Sequence, residues 1–150
     1  MNKRKINIAG FDYRSYSDFE RYYLYMNDNP RFLWDYGVYL LKANRYYDSI
    51  MILQEGSKYS GDPEFYTYIG INMEKLCMYD SAIEYYMKAY NLLPNRMHPL
   101  YRLCLLYHKL HNNACFIKYA SILLDFKPKI NSDLTDFYKN DIKSILRSYK

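Results

Sequence analysis

Apolar residues recur along nearly the whole chain at three-and-four spacing, the period of a helix that buries one face. From Phe32 the apolar positions are Leu33, Tyr36, Gly37, Leu40 and Leu41. Asn44-Arg45 interrupts this run, which resumes at Tyr46, Tyr47, Ile50, Leu53 and Gly56. Gly61-Asp62-Pro63 reads as a turn, with Pro63 suited to a helix start, where a missing N–H costs nothing. Tyr66, Ile69, Gly70 and Met73 follow, then a break near Cys77-Met78. Tyr79, Ala82, Ile83, Tyr86, Ala89 and Tyr90 form the next stripe, closed by Pro94. Tyr16, Phe19, Tyr22, Tyr23 and Met26 make one stripe ahead of these pairs. Leu134, Phe137, Tyr138, Ile142, Ile145, Leu146 and Tyr149 make another at the far end. Ser132 is the expected N-cap of that last helix. Asp133 and Asp136 in its first turn, and Arg147 and Lys150 in its last, suit the helix dipole.

The helix pairs repeat. Gly37, Ser49, Leu53 and Gly56 superpose, in that order and at one constant shift, on Gly70, Ala82, Tyr86 and Ala89. Small side chains are needed where two helices of a hairpin cross closely, and the bulky one fills the space beside them. The pattern resembles the tetratricopeptide repeat (TPR), a helix-turn-helix of about 34 residues. With the small first-helix residue numbered as position 8, Gly70, Ala82, Tyr86, Ala89 and Pro94 fall at positions 8, 20, 24, 27 and 32. In the first unit Gly61 stands in place of the closing Pro. A third unit opens at about Met97, with Leu103 and Cys104 at positions 7 and 8. Its second helix, about Asn113 to Phe126, fits loosely, because Ala120 and Leu123 are read as off the consensus offsets. The expected fold is all-α, a right-handed TPR-type solenoid of about three repeats with a capping helix at each end. Residues 1–15 read as a flexible basic leader and 16–150 as a single domain. Within it lie a cap helix at 16–28, repeats at about 30–62, 63–96 and 97–127, and a cap helix at 132–149.

Composition narrows the class further. The chain is 50% hydrophobic, but that half includes 21 Tyr, and the mean hydropathy is −0.48. Val38 is the only valine, and Thr67 and Thr135 the only threonines, which argues against a sheet. Five Gly and five Pro exclude collagenous or linker character, and 19% aromatic residues argue against disorder. The longest apolar run, Leu103 to Tyr107, falls far short of the roughly 18 residues a membrane span needs. Met1 to Asn7 starts basic without a following apolar stretch, so it does not read as a signal peptide. Three cysteines, Cys77, Cys104 and Cys115, do not make a disulfide framework. Net charge is +5, from 21 basic and 16 acidic residues spread along the chain. Such a balance permits acidic partners without demanding them.

Catalytic and cofactor chemistry is not expected. The glycines lie singly, at 10, 37, 56, 61 and 70, so there is no phosphate-binding loop. Cys104, His108, His111 and Cys115 invite a zinc reading, since Cys104 and His108 share a helix face. Their spacing is not that of paired ligands, and Cys104 occupies a position that needs a small buried residue; packing is the preferred reading and no metal is assigned. A catalytic Cys–His pair lacks an orienting acid. Tyrosines interleaved with Lys and Arg suggest single-stranded nucleic acid. Acidic residues mixed among the basic ones argue against it, and no nucleic acid is expected.

The expected function is binding. In such repeats the first helix of each pair lines a concave groove, through positions 2, 5, 9 and 12. These are Arg31, Trp34, Val38 and Leu41, then Glu64, Thr67, Ile71 and Glu74, then His98, Tyr101, Leu105 and His108. The mixture suits an extended peptide or a helix from a protein partner, without a row of cations for a C-terminal carboxylate. Trp34 has a second reading, as core packing against the N-terminal helix. An alternative ligand is oligosaccharide, held by Trp34, Tyr101 and Arg102.

Four local phrases carry a narrower resemblance: Asn29-Pro30-Arg31-Phe32-Leu33-Trp34-Asp35-Tyr36-Gly37, Tyr47-Asp48-Ser49-Ile50-Met51-Ile52-Leu53, Pro94-Asn95-Arg96-Met97-His98-Pro99-Leu100-Tyr101 and Lys129-Ile130-Asn131-Ser132. In this order they are similar to the soluble C-terminal TPR region of bacterial O-antigen ligase/polymerase-like membrane proteins, over about residues 16–150. The resemblance implies a periplasmic domain of an inner-membrane protein of surface-polysaccharide assembly, with membrane attachment only through a preceding segment. The basic leader would then lie against anionic headgroups. The membrane helices and catalytic loops of such proteins are absent, so no transferase activity carries over to any residue. The chain is then an excised domain, or else a stand-alone cytoplasmic scaffold. Three free cysteines sit awkwardly in an oxidising compartment, which burial in the repeat core would reconcile.

Overall fold

The structure, a computed structural model, describes residues 15–149, so the basic leader expected over 1–15 lies, but for Ser15, outside the described residues. Among the described residues there are eight helices and no strand: α1 (Tyr16–Met26), α2 (Pro30–Lys42), α3 (Tyr46–Ser57), α4 (Glu64–Lys75), α5 (Tyr79–Leu92), α6 (Met97–Lys109), α7 (Asn113–Asp125) and α8 (Asp133–Arg147). They fall into two units, Met1–Gly61 with α1 to α3 and Asp62–Lys150 with α4 to α8.

The first unit is organised by its helix starts. Ser15 and Asp18 form a capping box, each side chain serving the other's backbone N–H. The Asn29 side chain accepts from the Phe32 N–H, with Pro30 in the first turn. The core joins Phe19 and Met26 of α1 to Phe32, Leu33, Tyr36 and Leu40 of α2. Phe19 stacks on Tyr36 with ring centroids 4.9 Å apart. Burial, with Tyr16 beside it, pushes the Tyr36 phenol up to about 12. Where α2 and α3 cross, a Cβ on Gly37 would lie 2.5 Å from Leu53 Cδ2. Glycine is required there by close approach, not by backbone angle. The Ser49 hydroxyl donates to the Gly37 carbonyl at 2.7 Å, tying the same crossing.

In the second unit α4 and α5 cross in the same way, with a Cβ on Gly70 falling 2.5 Å from Tyr86 Cε1. Every hairpin also turns on one corner. Asn44, Cys77 and His111 have φ of 60°, 58° and 55°, and each follows the one before by a single repeat length. The N–H after each reaches five positions back, Arg45 to Leu40, Met78 to Met73 and Asn112 to Tyr107, the bond that closes a helix end in a Schellman turn.

The corner at His111 fixes the register of the α6–α7 hairpin, and it corrects the sequence reading. Cys104, Phe116, Ala120 and Leu123 each stand one repeat length after Gly70, Ala82, Tyr86 and Ala89, so the offsets are kept and the sizes are exchanged. Cys104 fills space that glycine leaves open, and position 24 shrinks to Ala120. Phe116 then supplies the bulk at position 20, where the other hairpins have Ser49 and Ala82; Cys104, Phe116, Ala120 and Leu123 are all fully buried. Helix α8 packs on α6 and α7, burying Tyr138 and Ile142. Ser132 caps it as expected, accepting from the Thr135 N–H at 3.2 Å.

Candidate functional site

The residues expected to face a groove divide sharply in where they lie. On α2, Arg31 is exposed and paired with Asp35 one turn on, at 3.3 Å, while Trp34, Val38 and Leu41 are half-buried. In the second unit the same positions build the seams between α4, α6 and α8. His98 Nδ1 meets Glu64 Oε2 at 2.7 Å, and its ring stands edge-on to Tyr68 and parallel to Tyr138. Arg102 donates to Glu74 at 2.7 Å, and Tyr86 donates to the same carboxylate oxygen at 2.8 Å. Arg102 Nε also donates to the Tyr86 hydroxyl, at 3.3 Å, so the triangle ties α4, α5 and α6 together. Burial drives the Tyr86 phenol well above its ordinary value.

Two of the residues expected to face the groove are buried. Thr67 is fully buried and its hydroxyl donates back to the Pro63 carbonyl, one turn earlier. Tyr101 is buried under α8, stacked on Tyr138 at 4.3 Å and donating to Asp141 at 2.8 Å. Burial and that carboxylate raise its phenol strongly. A ring so covered offers no face to a sugar, and Arg102 is already closed by Glu74. His108 pairs with the Tyr149 hydroxyl at 2.6 Å. Ile71 packs beside Ala82, Tyr86, Leu103 and Leu106, and Leu105 beside Cys104 and Phe116.

The cysteines are placed unevenly. Cys104 is buried, which pushes its thiol up to about 12; Cys115 is half-buried and Cys77 exposed. Burial in the core therefore reconciles only Cys104 with an oxidising compartment, because Cys77 sits on a hairpin corner. Among the described residues no group of three or more His, Cys, Asp and Glu could hold a metal ion.

An open cleft of about 800 Å³ lies in the second unit. It lies where the loops at 93–96 and 126–132 meet the first turns of α4, α6 and α8. Glu64, Tyr68, His98 and Tyr138 line it, with Met97, Phe126, Ile130 and Leu134 as apolar surface. Arg96, Lys127 and Lys129 supply its cations. Ile130 is 84% exposed and Leu134 56%. Lys139 braces the second loop, its ammonium donating to the carbonyls of Leu124 and Phe126. Helical periodicity had nothing to say about loop residues such as Arg96, Lys127 and Ile130. One signal for them was available: Pro128 stands one repeat length after Pro94 and marks a second inter-hairpin loop.

No protein-family model and no curated protein matches the chain. Solved structures similar to it include two of MamA. A crystal structure of MamA matches with TM-score 0.64 and 15% identity, over 86% of this chain and 68% of that one. A second, described as MamA MSR-1 C2, matches with TM-score 0.56 and 14% identity, over 86% of this chain and 66% of that one. The chain thus spans about two thirds of the length of each. MamA is a TPR-like protein, and the likeness carries the fold: all-helical, built of TPR-type hairpins.

Proposed function

We propose that the chain is a non-catalytic TPR-type module that holds a protein partner, and that it does so as the soluble periplasmic arm of an O-antigen ligase/polymerase-like protein in surface-polysaccharide assembly. The cleft of the second unit carries the first part. Exposed apolar side chains and cations lie together on a braced loop, while the ionisable side chains Glu64, Glu74, His98, Arg102 and His108 are engaged with one another or with tyrosines. Surfaces that combine apolar anchors with a polar rim are what partner proteins bind. The second part rests on the order of the four phrases. Residues of two of them, Asn95 to His98 and Lys129, Ile130 and Ser132, line this cleft. No helix among the described residues is long and apolar enough to cross a membrane.

A photo-crosslinking residue at Ile130, introduced into the protein in its native cell, tests the binding; protease added to spheroplasts tests the location. A discrete protein adduct and digestion from the periplasmic side are expected. Absence of any adduct from Ile130 and Leu134 sinks the interaction, and protection from protease sinks the periplasmic placement.

A further inference from the structure

We propose that the cleft takes an internal acidic peptide segment whose carboxylates flank an apolar side chain. This rests on the interaction reading above and names the chemistry of the partner. Three observations lead to it.

The first is charge. Arg96, Lys127 and Lys129 line the cleft, and among the described residues none has a carboxylate within ion-pair distance. The one lining carboxylate, Glu64, is bound by His98 at 2.7 Å. Cations without a carboxylate partner, beside a Glu64 already held by His98, make a field that attracts anionic chains.

The second is the arrangement of polarity. Ile130 lies directly after Lys129, and Leu134 opens α8 beside it, both well exposed. A ligand that is acidic throughout would leave these apolar surfaces wet. Carboxylates on either side of one apolar residue satisfy both parts. The aromatic rings do not favour nucleic acid: Tyr138 is stacked on Tyr101 and parallel to His98, and Tyr68 meets the His98 edge, so the cleft lacks a free stack of faces for bases.

The third is preorganisation. Lys139 pins the carbonyls of Leu124 and Phe126, and Pro128 fixes its own φ and restrains Lys127 to extended backbone. A loop already held in place loses less entropy when a peptide docks.

The test uses the full chain and a fluorescent peptide with both ends blocked, two Glu on each side of a central Leu-Phe. Binding read by anisotropy should weaken as ionic strength rises. Each exposed cation contributes up to about fivefold, so Lys127→Glu with Lys129→Glu should weaken binding roughly tenfold or more. Arg96→Glu should act in the same direction, and Lys75→Glu, away from the cleft, should leave binding unchanged. Equal binding of a peptide with Lys in place of Glu, no loss in the double reversal, or tighter binding of single-stranded oligonucleotide through the same lysines overturns the proposal. If the acidic peptide fails while crosslinking from Ile130 still yields a protein adduct, the partner chemistry is wrong and the interaction reading stands. Loss of both removes both.

Discussion

Single side chains in this protein are judged by the space around them. A methyl on Gly37 or Gly70 lands 2.5 Å from Leu53 or Tyr86, well inside contact distance. Overpacking of this kind costs about 1–3 kcal/mol, and alanine's better helix propensity returns about 1, so Gly37→Ala and Gly70→Ala should each be destabilising by up to about 2 kcal/mol in urea melts. The penalty at Gly37 should shrink in a Leu53→Ala background; an alanine that stabilises the parent chain would mean the helices are not in contact there. The thiols follow the same logic. Cys77 should react with a maleimide in the native protein, and Cys104, its thiol raised to about 12 by burial, only on unfolding. The buried phenols set a pH dependence. Tyr36 is raised to about 12, and Tyr86 and Tyr101 are raised as well. A raised folded-state value means the native state holds the proton more tightly. The stability these groups carry is therefore intact below about pH 10, the ordinary phenol value, and is lost as pH climbs through it towards 12. Absorbance at the phenolate band should rise together with loss of helix signal. Full tyrosine ionisation with helices intact would contradict it.

At the scale of elements, periodicity made the helices legible, because each buries one stripe. The interruptions at Asn44, at Cys77 and at Gly61-Asp62-Pro63 all fall between helices. The last hairpin was harder to see. A repeat recognised by residue type fails where the type changes and only the summed volume is kept, and Phe116 with Ala120 is such an exchange. Its corner at His111, with the left-handed backbone of Asn44 and Cys77, is what identifies it. The Glu74–Arg102–Tyr86 triangle was also hidden, since its members are far apart in sequence and sit on three different helices. Its ion pair is mostly buried, with 14% and 22% of the two side chains exposed. Removing one partner strands a charge. Arg102→Ala or Glu74→Ala should cost about 1–3 kcal/mol, less than the roughly 3–5 kcal/mol of a fully buried pair, and the Glu74→Leu, Arg102→Met double variant should cost less than the singles summed. Additive losses would show that the three groups do not act as a unit.

For the whole molecule, the sequence was read as presenting a row of side chains to a groove, and this is where it was least informative. Which face of an A helix stays open depends on what covers it, and α8 covers Tyr101 by bringing Tyr138 and Asp141 onto it. The cleft of the second unit is lined largely by loops, where no period operates and a net charge of +5 gives no location. Folding gathers Arg96, Lys127 and Lys129 around Ile130 and Leu134 from two loops that the whole α6–α7 hairpin separates in sequence. The most direct test is the yield of protein adduct from a photo-crosslinker at Ile130 in intact cells, compared with one at Met78 on the α4–α5 corner. A discrete adduct from Ile130, weaker from Met78 and reduced by the Lys127→Glu, Lys129→Glu double reversal, is the predicted result. Equal yields from the two positions, or none from Ile130, would contradict the account.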